Sequence, residues 1–109
     1  MKLSNQYPSL KGKTIFISGG GTGIGACLVR SFLEQGAKVA FVDILVDESN
    51  QLVNSLLTNQ ADAVLKFYPC DLIDIDALKT VLATVEQELG AISVLINNAA
   101  CDQRHCIDS

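Results

Sequence analysis

A chain of 109 residues has room for one small domain, and with nearly half its residues apolar and 18% charged it is not a disordered polymer. Its net charge is −4 and its eight basic residues are scattered, which excludes the clustered basic surface that nucleic acid or an anionic membrane requires. The opening MKLSNQYPSLKGK lacks the apolar segment of a secretory signal, and Lys38, Asp43 and Asp47 break the apolar runs short of a membrane span, so a cytoplasmic location is expected.

TIFIS, Thr14 to Ser18, reads as a buried strand between Gly12 and Gly19. Ile24, Cys27, Leu28, Ser31 and Phe32 then recur at helical spacing, and Gly36 supplies a stop. KVAFVD, Lys38 to Asp43, is a second strand, and Leu52, Val53, Leu56 and Leu57 form the apolar stripe of a second helix. The segment from Ala63 to Asp71 holds a third strand closed by Pro69. Asp74 caps a third helix with Ile75, Leu78, Leu82, Val85 and Leu89 on one face, and Gly90 ends it. ISVLIN, Ile92 to Asn97, is a fourth strand. This alternation predicts an α/β fold: a Rossmann-type doubly wound parallel sheet, running β-α-β-α-β-α-β with right-handed crossovers.

The four cysteines, Cys27, Cys70, Cys101 and Cys106, lack the pairing of a disulfide scaffold. Only Cys101 and Cys106 lie close, with His105 between them, and that spacing does not make a zinc site; reduced thiols and no metal are expected.

SGGGTGIG, Ser18 to Gly25, falls between the first strand and the first helix. Bare N–H groups at a helix start attract an anion, and glycines let a pyrophosphate come close. A glycine-rich string alone is also a permissive turn. Its position, together with an acid eighteen residues beyond Gly25 at the end of the next strand, favours dinucleotide binding. No Gly-Lys-Ser/Thr closes the loop, so it is not the rival nucleoside triphosphate motif. Asp43 is that acid. A carboxylate there accepts both ribose hydroxyls of NAD, whereas the 2′-phosphate of NADP would meet repulsion of about 1–4 kcal/mol at intermediate dielectric. No Arg or Lys in Gly19 to Gly25 offsets this, so NAD is expected over NADP. The bland alternative is a solvated strand-end Asp.

With these residues the chain resembles the short-chain dehydrogenase/reductase family. The family's Thr-Gly-x-x-x-Gly-x-Gly loop is matched from Ser18 to Gly25, its Asp after the third strand by Asp71, and its Asn-Asn-Ala-Gly turn by Asn97 to Ala100, where Ala100 departs from Gly. The resemblance implies that Gly19, Gly23 and Gly25 line the pyrophosphate, with Ser18, Gly21, Thr22 and Ile24 in the same cofactor-binding loop. It implies that Asp43 holds the adenosine ribose, that Asp71 and the Leu72 backbone meet the adenine, and that Asn97 and Ala99 support the nicotinamide ribose. YPSLKGK, CDL and NNAACDQRH further resemble the sugar 1-dehydrogenase branch, acting on D-xylose and related aldoses. Asp102, Arg104 and His105 then touch a sugar hydroxyl, or simply begin a polar loop.

The family transfers a proton through a Tyr with a Lys four residues on, beside a Ser, after a fifth strand. Tyr7 and Lys11 have that spacing but precede the first strand, and Pro8 disfavours a helix at Tyr7. Tyr68 has Leu72 four residues on. No catalytic residue is therefore assigned. Residues 1–109 are expected to be the N-terminal dinucleotide-binding part of a dehydrogenase, truncated after the fourth strand, which leaves an apolar strand edge bare. The family resemblance implies a small-molecule substrate and a homotetramer for the parent enzyme. Two rivals stand: a non-catalytic nucleotide-binding module, and a 3-oxoacyl-carrier-protein reductase-like enzyme, whose common NADP preference Asp43 opposes.

Overall fold

The computed structural model describes residues 10–21, 23–60 and 62–98. In chain order the elements are β1 (Thr14–Ser18), α1 (Gly23–Glu34), β2 (Lys38–Asp43), α2 (Val46–Asn59), β3 (Leu65–Pro69), α3 (Ile75–Leu89) and β4 (Ile92–Asn97). Three strands coincide with the expected runs, and the third lies within its expected segment. All pairings are parallel, in the order β3-β2-β1-β4. The α/β doubly wound sheet is thus present, with β1 at the place where the strand order reverses.

Continuous apolar runs form β1 and β2 because both faces of these central strands are covered. On one face Ile15, Ile17, Val39 and Phe41 pack with Val29, Phe32 and Leu33 of α1 and Leu56 of α2. On the other, Phe16, Ala40 and Val42 pack with Val85 and Leu89 of α3. Each fully buried Val, Ile or Phe contributes on the order of 1.5–3 kcal/mol, so these alternating faces supply most of the cohesion. β4 pairs only with β1 among the described strands, and its Leu95 is 64% exposed. A register shift skips Ser93, so Ile92 lies over the second cluster while Val94 and Ile96 lie over the first.

The expected apolar stripes of α2 and α3 face the core with the exception of Ile75, whereas α1 departs from expectation at its start. On α1 the buried residues are Gly25, Val29, Phe32 and Leu33; Cys27 is exposed and Ile24 is 72% exposed. Gly25 sets this rotation, because a Cβ there would stand 1.9 Å from the Gly19 carbonyl oxygen. The helix can approach the loop this closely only with its glycine face down. On α3, Ile75 is also exposed, since the first helical residue is still level with the loop after β3. The expected boundaries hold. Asp74 accepts from Ala77 N at 3.1 Å as N-cap, and α1 ends on Gly36 at φ +86 with Ala37 N donating to Phe32 O. At the amino end of the sheet, Lys38 Nζ and Thr14 Oγ1 both donate to Leu89 O, at 2.7 and 2.9 Å, closing the end of α3.

Candidate functional site

The carboxyl ends of β1, β2, β3 and β4 bring together the glycine loop, Asp43, Asp71 and the Asn97–Asn98 pair. Register places Ser18 beside both Val42 and Asn97, and Asp43 beside Pro69. The loop leaves β1 at Gly19, whose φ of +77 is a conformation that favours glycine. Gly19 N donates to Val42 O at 2.7 Å, and Gly20 packs so closely on Phe41 that a Cβ would meet its side chain at 2.7 Å. Gly23, at φ +61, opens α1, and a Cβ there would meet nothing within 4 Å. The loop is therefore pinned at Gly19 and Gly20, while the space at Gly23 is clear among the described residues. The first N–H groups of α1 have no acceptors within the helix, and its first turn carries no acid.

Asp43 is half-buried and its two carboxylate oxygens are separately engaged. Oδ2 accepts from Gly21 N at 2.9 Å and Oδ1 from Leu45 N at 3.0 Å. One bond ties β2 to the glycine loop; the other shapes the turn into α2. The spare lone pairs of the two oxygens remain available for outside donors. The acid is thus oriented by backbone amides at the strand end.

Ser18 Oγ donates to Asn97 Oδ1 at 2.8 Å, linking the ends of β1 and β4. Asn98 Nδ2 donates to Gly19 O at 3.0 Å and would stand 2.9 Å from a Cβ at Gly25. Asn98 is a brace that the sequence reading passed over, although it adjoins Asn97 in the same motif. Asp71 is exposed; its Oδ1 accepts from Ile73 N at 3.1 Å and its carbonyl from Asp74 N at 2.9 Å. Leu72 is partly buried against the second core cluster. Ile24 projects outward at the start of α1. Thr22 and Ala99 lie outside the described residues, as do Tyr7, Cys101, Asp102, Arg104, His105 and Cys106.

Tyr68, the other tyrosine, donates to Glu88 Oε1 at 2.5 Å. Burial, reinforced by Glu88, pushes its phenol well above the ordinary 10.0. A proton-transfer tyrosine needs the opposite shift. Burial also raises the Cys70 thiol, with Asp74 and Asp71 adding to it. Among the described residues no group of three His, Cys, Asp or Glu side chains could hold a metal, and no helix is long and apolar enough to cross a membrane. A cavity of about 430 Å³ lies at the opposite, amino end, lined by Leu33, Gly36, Asn59, Gln60 and Val64. Its charged lining is Lys38, already committed to Leu89 O, and Asp62, so the cavity gathers no set of like charges.

A glycine loop at the strand-order reversal, with an oriented acid one strand along, defines a dinucleotide-binding α/β protein. The family model for short chain dehydrogenase matches residues 13–108. A D-xylose 1-dehydrogenase of Caulobacter vibrioides is 46% identical over 99 residues, covering 91% of this chain and 38% of that protein. "Probable galactose dehydrogenase GalD" of Rhizobium meliloti is 38% identical over 106 residues, covering 97% and 41% respectively. A short-chain dehydrogenase/reductase of Serratia marcescens, solved as a double mutant, superposes with a TM-score of 0.76 at 30% identity, over 84% of this chain and 37% of that one. The chain belongs to the short-chain dehydrogenase family, and it spans about two fifths of the length of these curated relatives.

Proposed function

We propose that this chain binds NAD as the cofactor-binding part of an oxidoreductase that moves hydride between an alcohol or sugar hemiacetal carbon and the nicotinamide. The observation that carries the reading is the meeting of Gly21 N–H with the Asp43 carboxylate at 2.9 Å, which sets a diol acceptor beside an anion-binding loop. The fit is supported by contacts a side chain would fill: at Gly25 a Cβ would strike the Gly19 carbonyl, while over Gly23 the space is clear. Gly19, Gly21, Gly23 and Gly25, with Ser18, Thr22 and Ile24, would hold the pyrophosphate; Asp43 the adenosine ribose; Asp71 and Leu72 the adenine; Asn97 and Ala99 the nicotinamide side. When bound, the cofactor supplies the hydride acceptor.

Similarity to a D-xylose 1-dehydrogenase and to a galactose dehydrogenase supports an aldose oxidised at C1 as the substrate. We assign these residues the cofactor half of that reaction, because Tyr68 is held by Glu88 and no lysine follows it at the required spacing. A cytoplasmic location and, on the family resemblance, a homotetrameric parent enzyme belong to the same proposal. The test is calorimetric titration with NADH and NADPH. NADH is expected to bind more tightly, and Asp43→Asn, which keeps an acceptor but removes the charge, should narrow the gap. Absence of heat with either coenzyme on the folded chain rejects the reading.

A further inference from the structure

Ser49 lies in the first turn of α2, fully buried, and among the described residues its Oγ has no hydrogen-bond partner. An orphaned buried hydroxyl opposes folding, and native proteins carry few of them; those they keep tend to mark sites where a ligand or a second arrangement uses the group. Alanine would fill the same space without the orphan.

The neighbours show where the hydroxyl is aimed. A Cβ built on Gly21 would stand 2.3 Å from Ser49 Oγ, 2.9 Å from Asp43 Oδ2 and 3.3 Å from the carboxyl carbon. Serine hydroxyl, bare glycine and carboxylate therefore border one small space, which only a glycine at position 21 leaves open. Among the described residues Oδ2 is held there by a single donor, Gly21 N.

We propose that Ser49 is a positioning residue for a vicinal diol: its hydroxyl is the reserve donor that steadies Asp43 Oδ2 when the carboxylate accepts the two hydroxyls of a ligand's ribose. The inference rests on the reading of Asp43 as the ribose-binding residue. Two neutral hydroxyls pulling from outside draw the carboxylate away from Gly21 N. A rotation of the serine side chain behind it supplies a charge-assisted O–H···O⁻ bond in compensation. Ser49 itself, with no exposed surface, does not touch the ligand. Its contribution appears only when the diol is complete.

The test is calorimetric titration of the full 109-residue chain with ADP and with 2′-deoxy-ADP, for the wild type, Ser49→Ala and Ser49→Cys. The wild type is expected to favour ADP by about tenfold, the effect of one hydrogen bond to a charged group. Ser49→Ala should cut that ratio to about threefold or less while leaving 2′-deoxy-ADP binding nearly unchanged, because the donor matters only to the doubly engaged carboxylate. Ser49→Cys, similar in shape but a weak donor, should move the ratio the same way, and it carries the comparison should the alanine variant fail to fold. The melting temperature of Ser49→Ala should stay level or rise. A merely structural serine would change both affinities by one factor and leave the ratio alone. An unchanged ratio in the folded variants overturns the role of Ser49 and leaves the ribose reading standing. A wild-type chain that does not distinguish ADP from 2′-deoxy-ADP overturns the ribose reading, and the role of Ser49 with it.

Discussion

The two ends of this sheet handle their polar groups in opposite ways. At the amino end the groups satisfy one another: Lys38 and Thr14 close Leu89 O, Gly12 N donates to Gly36 O, and Lys38 N donates to Lys13 O. At the carboxyl end Asp43 keeps spare lone pairs, the first amides of α1 lack internal acceptors, and Ser49 Oγ is orphaned. The same strands deliver both ends, so the difference is not one of fold. One end is closed by the chain's own groups; the other, though braced by Ser18, Asn97 and Asn98, keeps unused hydrogen-bonding capacity among the described residues.

The sharpest way to break this contrast is Gly25→Ala. Its methyl would meet the Gly19 carbonyl at 1.9 Å, a backbone atom that cannot swing aside. The helix must lift from the loop, and we expect a stability loss of about 3 kcal/mol or more by denaturant titration, together with loss of nucleotide binding. A smaller effect belongs to the amino end. Lys38→Met removes a charged donor from Leu89 O but leaves Thr14 in place, which should lower stability by about 1 kcal/mol while leaving nucleotide affinity unchanged in the same calorimetric assay. If Lys38→Met weakened binding as well, the two ends would not be independent.

The smallest expected effect is confined to high pH. Tyr68 has a folded-state pKa raised by burial and Glu88 above its ordinary 10.0. Its stabilising contribution is therefore complete below pH 10 and is lost as pH rises beyond it, because the unfolded phenol ionises first. Thermal melts of Tyr68→Phe should show a shallower decline above pH 10 than the wild type. Parallel declines would remove Tyr68–Glu88 as a source of the pH dependence.

The strands were legible because β-branched and aromatic runs bounded by glycine, proline or acid leave little choice of position, and Asp74 and Gly36 announced their helix ends through ordinary capping chemistry. The inward face of α1 was only partly legible: Leu28 and Phe32 pack on the core as expected, but Ile24 and Cys27 do not. Hydropathy favours Ile24 and Cys27 and assigns no weight to Gly25, yet the missing side chain of Gly25 is what allows the close approach that fixes the rotation. Ser49 had a readable signal, since it continues the stripe of Leu52, Val53 and Leu56 at helical spacing, but a polar residue is easily discounted there. Asp43 could be placed at a strand end from spacing alone. Its dependence on amides at Gly21 and Leu45 could not, because those contacts arise only once the loop and turn have folded around it.

That dual engagement makes Asp43 a hinge pin as well as the proposed recognition group. Exchanging it for a small or basic residue in order to admit a phosphorylated ribose would release both the loop before α1 and the turn before α2. A switch of coenzyme in this scaffold is therefore a matter of paired changes, the second replacing the lost tether, and single replacements at this position should produce weak binders of both coenzymes before they produce a converted one.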